Sequence, residues 1–212
     1  MKYCVMILSV GDISYAIWSK PLLTHYFEQY GIPYVFINEI PKGINLKGSH
    51  PSWWKLLAHT ILPDYDYIIC WDLDLLPITP STEVLSDFCM TKPTIAWDTG
   101  IKLNPGQRNN PKLPFLKHFK YNGGLIGIPK SHKAFFESVF YEHAPGVLPS
   151  WEQYYLNNAI HDKDIDIHEL PGDINVLYGL PGFETARLQH YTYKQDAKSK
   201  IRDHYTKYMS LV

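Results

Sequence analysis

The chain has 212 residues, 45% of them hydrophobic, with 20 Lys and Arg against 21 Asp and Glu. This length favours one domain with a substantial core, and a net charge of -1 argues against nucleic-acid binding, which depends on clustered cations. The three cysteines have no C-x-x-C spacing, so neither a disulfide framework nor a cysteine zinc site is indicated. The short apolar start predicts neither a signal peptide nor a membrane span, and we expect a cytoplasmic protein.

Strands and helices are predicted to alternate along the chain. Residues 3–10 form an apolar run of strand length, and Ser19 and Pro21 predict a helix start with proline in the first turn. Further helices are predicted at 52–62, capped by Ser52, near 131–141 and 151–160, and in the tail 196–212; further strands are predicted at 33–37, 67–71, 94–97, 124–128 and 164–168. The alternation predicts an α/β fold, and whether the tail leads into another domain stays open.

One connection is unusually long. Residues 98–120 are rich in Asn, Pro, Gly and Lys and exceed the length of an ordinary loop in a domain of this size. We expect this segment to act as a lid or an acceptor-binding loop.

Two aspartates follow the strand at 67–71, in the sequence Cys-Trp-Asp72-Leu-Asp74. Side chains alternate along a strand, so residues two apart are expected to point the same way, into the crevice where open α/β sheets bind ligands. Paired hard oxygens there suit Mg²⁺ or Mn²⁺ shared with a diphosphate. The alternative, that one Asp caps the next segment and the other is solvated, is disfavoured by the strand that precedes them.

This arrangement resembles the GT-A glycosyltransferases, most closely the glycogenin-like and bacterial lipopolysaccharide galactosyltransferase branch, and the resemblance extends over most of the chain. It implies a GT-A (Rossmann-like) fold in a single compact domain over residues 1–212, with a mostly parallel central sheet flanked by helices. It also implies Mn²⁺ or Mg²⁺, a UDP-sugar donor such as UDP-glucose, and a carbohydrate or glycoprotein acceptor.

The resemblance assigns four residues to the donor nucleotide. Asp12 corresponds to the acceptor on the base edge and Tyr15 to the stacking ring, although a polar turn and a helix-packing tyrosine would look the same. Lys55 corresponds to a basic residue directed at the diphosphate and donor sugar, with a solvated helix lysine as the alternative. Lys194 corresponds to a phosphate-binding lysine, although its spacing from His190 is shorter than in the family.

The same resemblance assigns residues to the donor sugar. The sequence Tyr-Asn122-Gly-Gly resembles a family strand start whose Asn holds sugar hydroxyls, and Asp98 corresponds to an acidic residue that contacts the sugar. Glu152 stands where the family more often has Asp and would bind sugar hydroxyls, while Gln153 would face the anomeric carbon. An Asn-Gly turn and a glutamate that favours a helix start are the alternatives.

The resemblance makes His190 the third metal ligand, with an ordinary strand histidine as the alternative. The other nine histidines show no repeated ligand spacing, and His161, His168 and His204 are expected at the surface. Aromatic residues suit the apolar faces of sugar rings and are candidates for the acceptor site, although core packing explains them equally well: Trp53, Trp54, Trp97, Trp151 and Tyr154.

The predicted activity is therefore metal-dependent sugar transfer with retention of configuration. An inverting displacement with Glu152 or Asp98 as base is one alternative. A sugar nucleotidylyltransferase is another, but the chain lacks a glycine-rich, Arg-containing loop after its first strand. A non-catalytic carbohydrate-binding module would explain the aromatics but has no use for two converging aspartates.

Overall fold

The structure, a computed structural model, describes residues 1–11, 13–39, 41–100, 118–144, 152–192 and 196–212. The strands in these ranges are β1 (Tyr3–Leu8), β2 (Tyr34–Ile37), β3 (Tyr67–Trp71), β4 (Leu75–Pro77), β5 (Thr94–Trp97), β6 (Tyr121–Pro129), β7 (His168–Glu169), β8 (Val176–Leu177) and β9 (Leu188–His190). The helices are α1 (Ala16–Gln29), α2 (Ala58–Ile61), α3 (Lys133–His143), α4 (Glu152–Asp162) and α5 (Ala197–Met209). Short 3-10 helices cover Pro51–Leu57, Leu85–Asp87, Lys130–His132 and Phe183–Thr185.

The larger sheet has the strand order β2-β1-β3-β6-β5-β7. Strand β1 runs parallel to both β2 and β3, and β7 runs parallel to β5. Strand β6 runs antiparallel to both β3 and β5. The mostly parallel α/β sheet predicted from the sequence is thus confirmed. No helix in the described part of the chain is both long enough and apolar enough to span a bilayer.

The hydrophobic core is divided into two halves, one on each face of this sheet, and β3 contributes side chains to both. Tyr67, Ile69 and Trp71 pack on the face covered by α1, whereas Ile68 and Cys70 pack on the face covered by the 3-10 helix Pro51–Leu57 and by α3. This division follows from the two-residue side-chain period of a strand whose residues are all buried. Trp53 and Trp54, which were acceptor-site candidates, belong to the second half of the core.

A second, three-stranded sheet has the order β4-β9-β8. Residue Leu75 of β4 and Leu177 of β8 both align with His190 of β9. None of these three strands is predicted from the sequence, because runs of two or three residues are too short for a periodic pattern. This sheet brings a residue from near the end of the chain beside the segment that follows β3.

Several predicted boundaries were wrong. Helix α1 begins at Ala16, so Pro21 lies inside it and removes one main-chain hydrogen bond. The buried face that includes Leu22 and Phe27 keeps the helix in place. The helix predicted at 52–62 is a 3-10 helix followed by α2, and His50, not Ser52, caps it by accepting a hydrogen bond from the Ser52 N–H.

Two further predictions at the C-terminal side were wrong. The strand expected at 164–168 is limited to β7, because Asp164, two residues beyond the end of α4, has a positive φ of 47° that an extended strand does not allow. His204 is buried rather than at the surface, with its Nε2 2.8 Å from the Pro77 carbonyl oxygen and its Nδ1 2.8 Å from the Tyr191 hydroxyl. His161 is exposed, as expected, and His168 is half-buried.

Gly127 in β6 is required by close packing against β3. A Cβ at this position would lie 2.0 Å from the Tyr67 hydroxyl oxygen and 2.7 Å from its Cζ. We expect Gly127→Ala to lower the free energy of unfolding by about 1–3 kcal/mol, the usual cost of overpacking a core. Chemical denaturation would measure it, and the cost should be smaller in a Tyr67→Phe background; an equal cost in both backgrounds would contradict this explanation.

Candidate active site

The segment that follows β3 brings two carboxylates and an imidazole together. Asp72 N–H donates to the Gly124 carbonyl at 2.9 Å, and the Asp74 carbonyl accepts from Tyr191 N–H at 2.9 Å. His190 Nε2 lies 3.3 Å from Asp74 Oδ1 and 3.7 Å from Asp72 Oδ2. The aspartates converge because the chain turns between β3 and β4, with Leu75 N–H bonded to the Asp72 carbonyl, and not through strand alternation as predicted.

This trio fits a divalent cation. One ligand atom from each of Asp72, Asp74 and His190 lies within 4.8 Å of the other two. His190 is only 2% exposed, and neither of its ring nitrogens has a hydrogen-bond partner among the described residues. A buried imidazole that makes no hydrogen bond is costly, and a metal ion between it and the two carboxylates is a natural partner for it. The carboxylates retain 28% and 19% exposure, which leaves the site open to ligand.

The buried side chain of Lys55 contacts Asp72 from the interior side of the site. Its side chain is 4% exposed, and its ammonium forms an ion pair with Asp72 and donates to the Gly123 carbonyl at 2.7 Å. Burial lowers the pKa of Lys55, but Asp72 and Glu152 outweigh burial and raise it above its ordinary value. Burial likewise raises the pKa of Asp72, and Lys55 opposes that rise. The lysine therefore fixes and neutralises this carboxylate rather than standing free in solvent.

Glu152 begins α4 and is 5% exposed. Burial raises the pKa of its carboxyl group, whereas Lys55 and a hydrogen bond with Ser52 lower it. Its Oε2 has no hydrogen-bond partner among the residues described. Glu152 is thus more than a helix-start residue, because its charge enters the buried network around Lys55 and Asp72.

The backbone of β6 contacts the first turn of α4. Gly123 N–H donates to Gln153 Oε1 at 3.1 Å. A Cβ on Gly123 would lie 3.2 Å from Glu152 Oε1 and 3.5 Å from the Gln153 Cβ. Glycine at this position therefore allows Glu152 and Gln153 to approach the strand that borders the two carboxylates and His190.

Asn122 lies inside β6, so the alternative of an Asn-Gly turn is wrong. Its Nδ2 donates to Asp98 Oδ2 at 3.3 Å, and its Oδ1 accepts from Gly124 N–H at 2.8 Å and from Asn175 Nδ2 at 3.0 Å. Asn122 therefore joins Asp98, just after β5, to the strand beside His190. Asn175, fully buried with a positive φ of 65°, was not predicted, because an isolated Asn carries no pattern.

Tyr15 lies near the same carboxylates. Burial raises the pKa of its hydroxyl, and the charges of Asp74 and Asp72 raise it further. A cavity of about 270 Å³ adjoins it, lined by Ser14, Tyr15, Trp18, Ser199 and Arg202. The donor-site candidates that the structure describes thus lie around Asp72 and β6, whereas Trp53 and Trp54 lie in the core. Asp12, Lys194, Trp151 and residues 101–117 of the expected lid lie outside the described residues.

No protein-family model and no curated protein sequence matches this chain. Its structure is similar to that of a glycosyltransferase involved in glycosylation of the major capsid of PBCV-1, at 12% identity and a TM-score of 0.64, over 96% of this chain and 99% of that one. It is also similar to the galactosyltransferase LgtC, solved with donor and acceptor sugar analogues, at 11% identity and a TM-score of 0.57, over 97% and 96% of the two chains.

A third similar structure is the bifunctional glycosyltransferase WbbM, at 12% identity and a TM-score of 0.66. The match covers 99% of this chain and 50% of WbbM. These comparisons confirm the predicted fold, that of the GT-A glycosyltransferases.

Proposed function

We propose that this protein is a metal-dependent glycosyltransferase that moves a sugar, such as glucose, from a UDP-sugar to a hydroxyl of a glycan or glycoprotein acceptor, with retention of configuration. The observation that carries the proposal is the trio of Asp72, Asp74 and His190 at the carboxyl end of β3. In open α/β sheets this edge is where ligands bind. The fold likeness to glycosyltransferases, and the donor and acceptor sugar analogues bound to LgtC, favour a sugar nucleotide as that ligand.

Asp72, Asp74 and His190 would hold Mn²⁺ or Mg²⁺. When bound, such an ion supplies positive charge that stabilises the departing diphosphate. Burial raises the pKa of the Asp72 carboxyl group, and the buried ammonium of Lys55 opposes that rise by favouring the ionised form. Tyr15 would stack on the base, in the cavity that it lines, and Asp12 and Lys194 would bind the base edge and the phosphate.

Positive charge develops on the sugar ring during the reaction, and nearby carboxylates and amides are needed to stabilise it. Glu152 and Asp98 supply carboxylates, Gln153 would place its amide at the anomeric carbon, and Asn122 positions Asp98 through their hydrogen bond. In the reaction, the bond between the anomeric carbon and the diphosphate oxygen breaks, and the acceptor oxygen forms the new bond on the same face. The acceptor proton passes to the departing phosphate.

Inversion of configuration is the competing outcome. The buried Glu152 carboxylate, whose Oε2 lacks a partner among the residues described, favours a base at this position. In a retaining reaction with an amide at the anomeric carbon, Glu152 would bind hydroxyls and take no proton. The configuration of the anomeric proton in the product, measured by NMR, distinguishes the two reactions.

The activity is tested by incubating the protein with a panel of UDP-, GDP- and dTDP-sugars, with and without Mn²⁺, in the presence of a glycan acceptor library. We expect free UDP from one UDP-sugar, dependent on Mn²⁺. Lys55→Met should reduce the rate by about 10-fold or more, since positioning of a metal ligand typically contributes that much. Release of pyrophosphate instead of UDP would indicate a nucleotidylyltransferase, and carbohydrate binding without turnover would indicate a binding module.

A further inference from the structure

A second group of potential metal ligands lies away from the proposed donor site. His118, His161 and Asp162 each offer one ligand atom, and these three atoms lie within 4.8 Å of one another. His161 and Asp162 end helix α4, whose first residue is Glu152. His118 lies in the segment that leads into β6. The group therefore joins the far end of α4 to that segment.

The two imidazoles are already side by side. The rings of His118 and His161 are stacked, with centroids 3.7 Å apart and planes inclined by 25°. His161 Nδ1 is 3.3 Å from Asp162 Oδ1. In a tetrahedral site with metal–ligand distances near 2.0–2.1 Å, neighbouring ligand atoms are separated by about 3.3 Å. The spacing of His161 Nδ1 and Asp162 Oδ1 therefore matches a metal site, and the half-buried His118 supplies the third ligand atom by turning out of its stack with His161.

The positions of these residues are fixed by packing next to them. Phe119 is buried and packs against Tyr154 of α4, with ring centroids 4.7 Å apart. Lys120 N–H donates to Asn157 Oδ1 of the same helix at 2.8 Å. The backbone beside His118 is thus held against α4 in the absence of any ion, which lowers the entropic cost of forming the site.

We propose that His118, His161 and Asp162 form a second metal site, selective for Zn²⁺ and similar borderline transition metals. Two imidazoles and one carboxylate favour such ions, whereas the two carboxylates and one imidazole of the donor site suit Mn²⁺ or Mg²⁺. The ammonium of the neighbouring Lys163 is directed towards α3, where it donates to Ser138 Oγ at 3.2 Å. A bound ion would clamp the segment before β6 to the last turn of α4.

Calorimetric titration with ZnCl₂ tests this site. Zn²⁺ can also occupy the donor site, so the titration is made in an Asp74→Asn background. We expect one strong Zn²⁺ site per chain, weakened at least tenfold by His161→Ala and also by Asp162→Asn. His132→Ala removes a histidine at the start of α3 and should leave the affinity unchanged. Circular dichroism verifies that each variant is folded.

Co²⁺ absorption gives a second readout. Visible d–d bands of tetrahedral Co²⁺ are expected in the Asp74→Asn protein and in its His132→Ala derivative, and should be lost on His118→Ala. Equal Zn²⁺ affinity in the His161→Ala and His132→Ala proteins, or Co²⁺ bands that survive His118→Ala, would overturn the proposal. Because these measurements need neither UDP nor sugar, they are independent of the proposed transferase activity.

Discussion

Asp74→Asn is expected to abolish most of the Mn²⁺-dependent binding of UDP while leaving the fold intact. The substitution preserves the shape of the side chain and removes the charge that faces His190, whose Nε2 lies 3.3 Å from Asp74 Oδ1. Loss of residues that merely orient metal ligands typically costs 10-fold to 100-fold in metal affinity, so loss of a ligand should weaken UDP binding by about 100-fold or more. That is about 2.8 kcal/mol, because each factor of ten corresponds to about 1.4 kcal/mol.

Asp72→Asn should produce the same loss of UDP affinity together with a loss of stability. Asp72 forms an ion pair with the buried Lys55, and its removal leaves that ammonium with less compensation. Such a charge is expensive to leave buried, although the partial exposure of Asp72 moderates the cost. Asp74 is not part of that ion pair, so the two substitutions should differ in stability and agree in UDP affinity.

Isothermal titration calorimetry with UDP, with and without Mn²⁺, measures the loss of UDP affinity, and chemical denaturation measures the loss of stability. Asp64→Asn is a matched control, because Asp64 is exposed and precedes β3 at its opposite end. Unchanged UDP affinity in the presence of Mn²⁺ for both Asp72→Asn and Asp74→Asn would show that these carboxylates do not hold the ion.

The parts of the fold that could be predicted are those with a long local pattern. Strand β3 has its predicted bounds because its five residues form an uninterrupted aromatic and apolar run. Strand β5 was also predicted at its observed residues. By contrast, the sequence of Pro51–Leu57 predicts an α-helix, but this segment forms a 3-10 helix. Both of its tryptophans and both of its leucines are buried, so tertiary packing overrides the local preference.

Only the site residues that are close together in the chain could be predicted from the sequence to lie close together in space. Asp72 and Asp74 are one residue apart and follow a strand, so their convergence could be predicted, although it arises from a turn. The hydrogen bond from Asn175 to Asn122 joins residues 53 positions apart, and Asn175 lies beside β8, a two-residue strand too short to detect. The burial of Lys55 beneath Asp72 was equally hidden, because a helix lysine is usually solvated.

The absence of a side chain at Gly124 leaves the space that the His190 imidazole occupies. Substitution of Gly124 is therefore the second change expected to have a large effect on UDP affinity and stability. A Cβ at Gly124 would lie 2.4 Å from His190 Cε1 and 2.9 Å from both His190 Nδ1 and Asn122 Oδ1. His190 is 2% exposed and is the last residue of β9, so a shift of its imidazole would act on that strand. We expect Gly124→Ala to cost about 1–3 kcal/mol of stability by overpacking. Mn²⁺-dependent UDP affinity should fall by about 10-fold to 100-fold, as when a metal ligand is misplaced.

A double-mutant cycle separates this clash from a general defect in β6. In a His190→Ala background the imidazole is absent, so the added methyl of Gly124→Ala should cost less, with a coupling of about 0.5–3 kcal/mol between the two positions. The contact with Asn122 Oδ1 persists in that background, so we expect partial and not complete recovery. Additive costs in chemical denaturation would mean that the glycine is required by the strand and not by the imidazole, and would contradict a role for Gly124 in orienting His190.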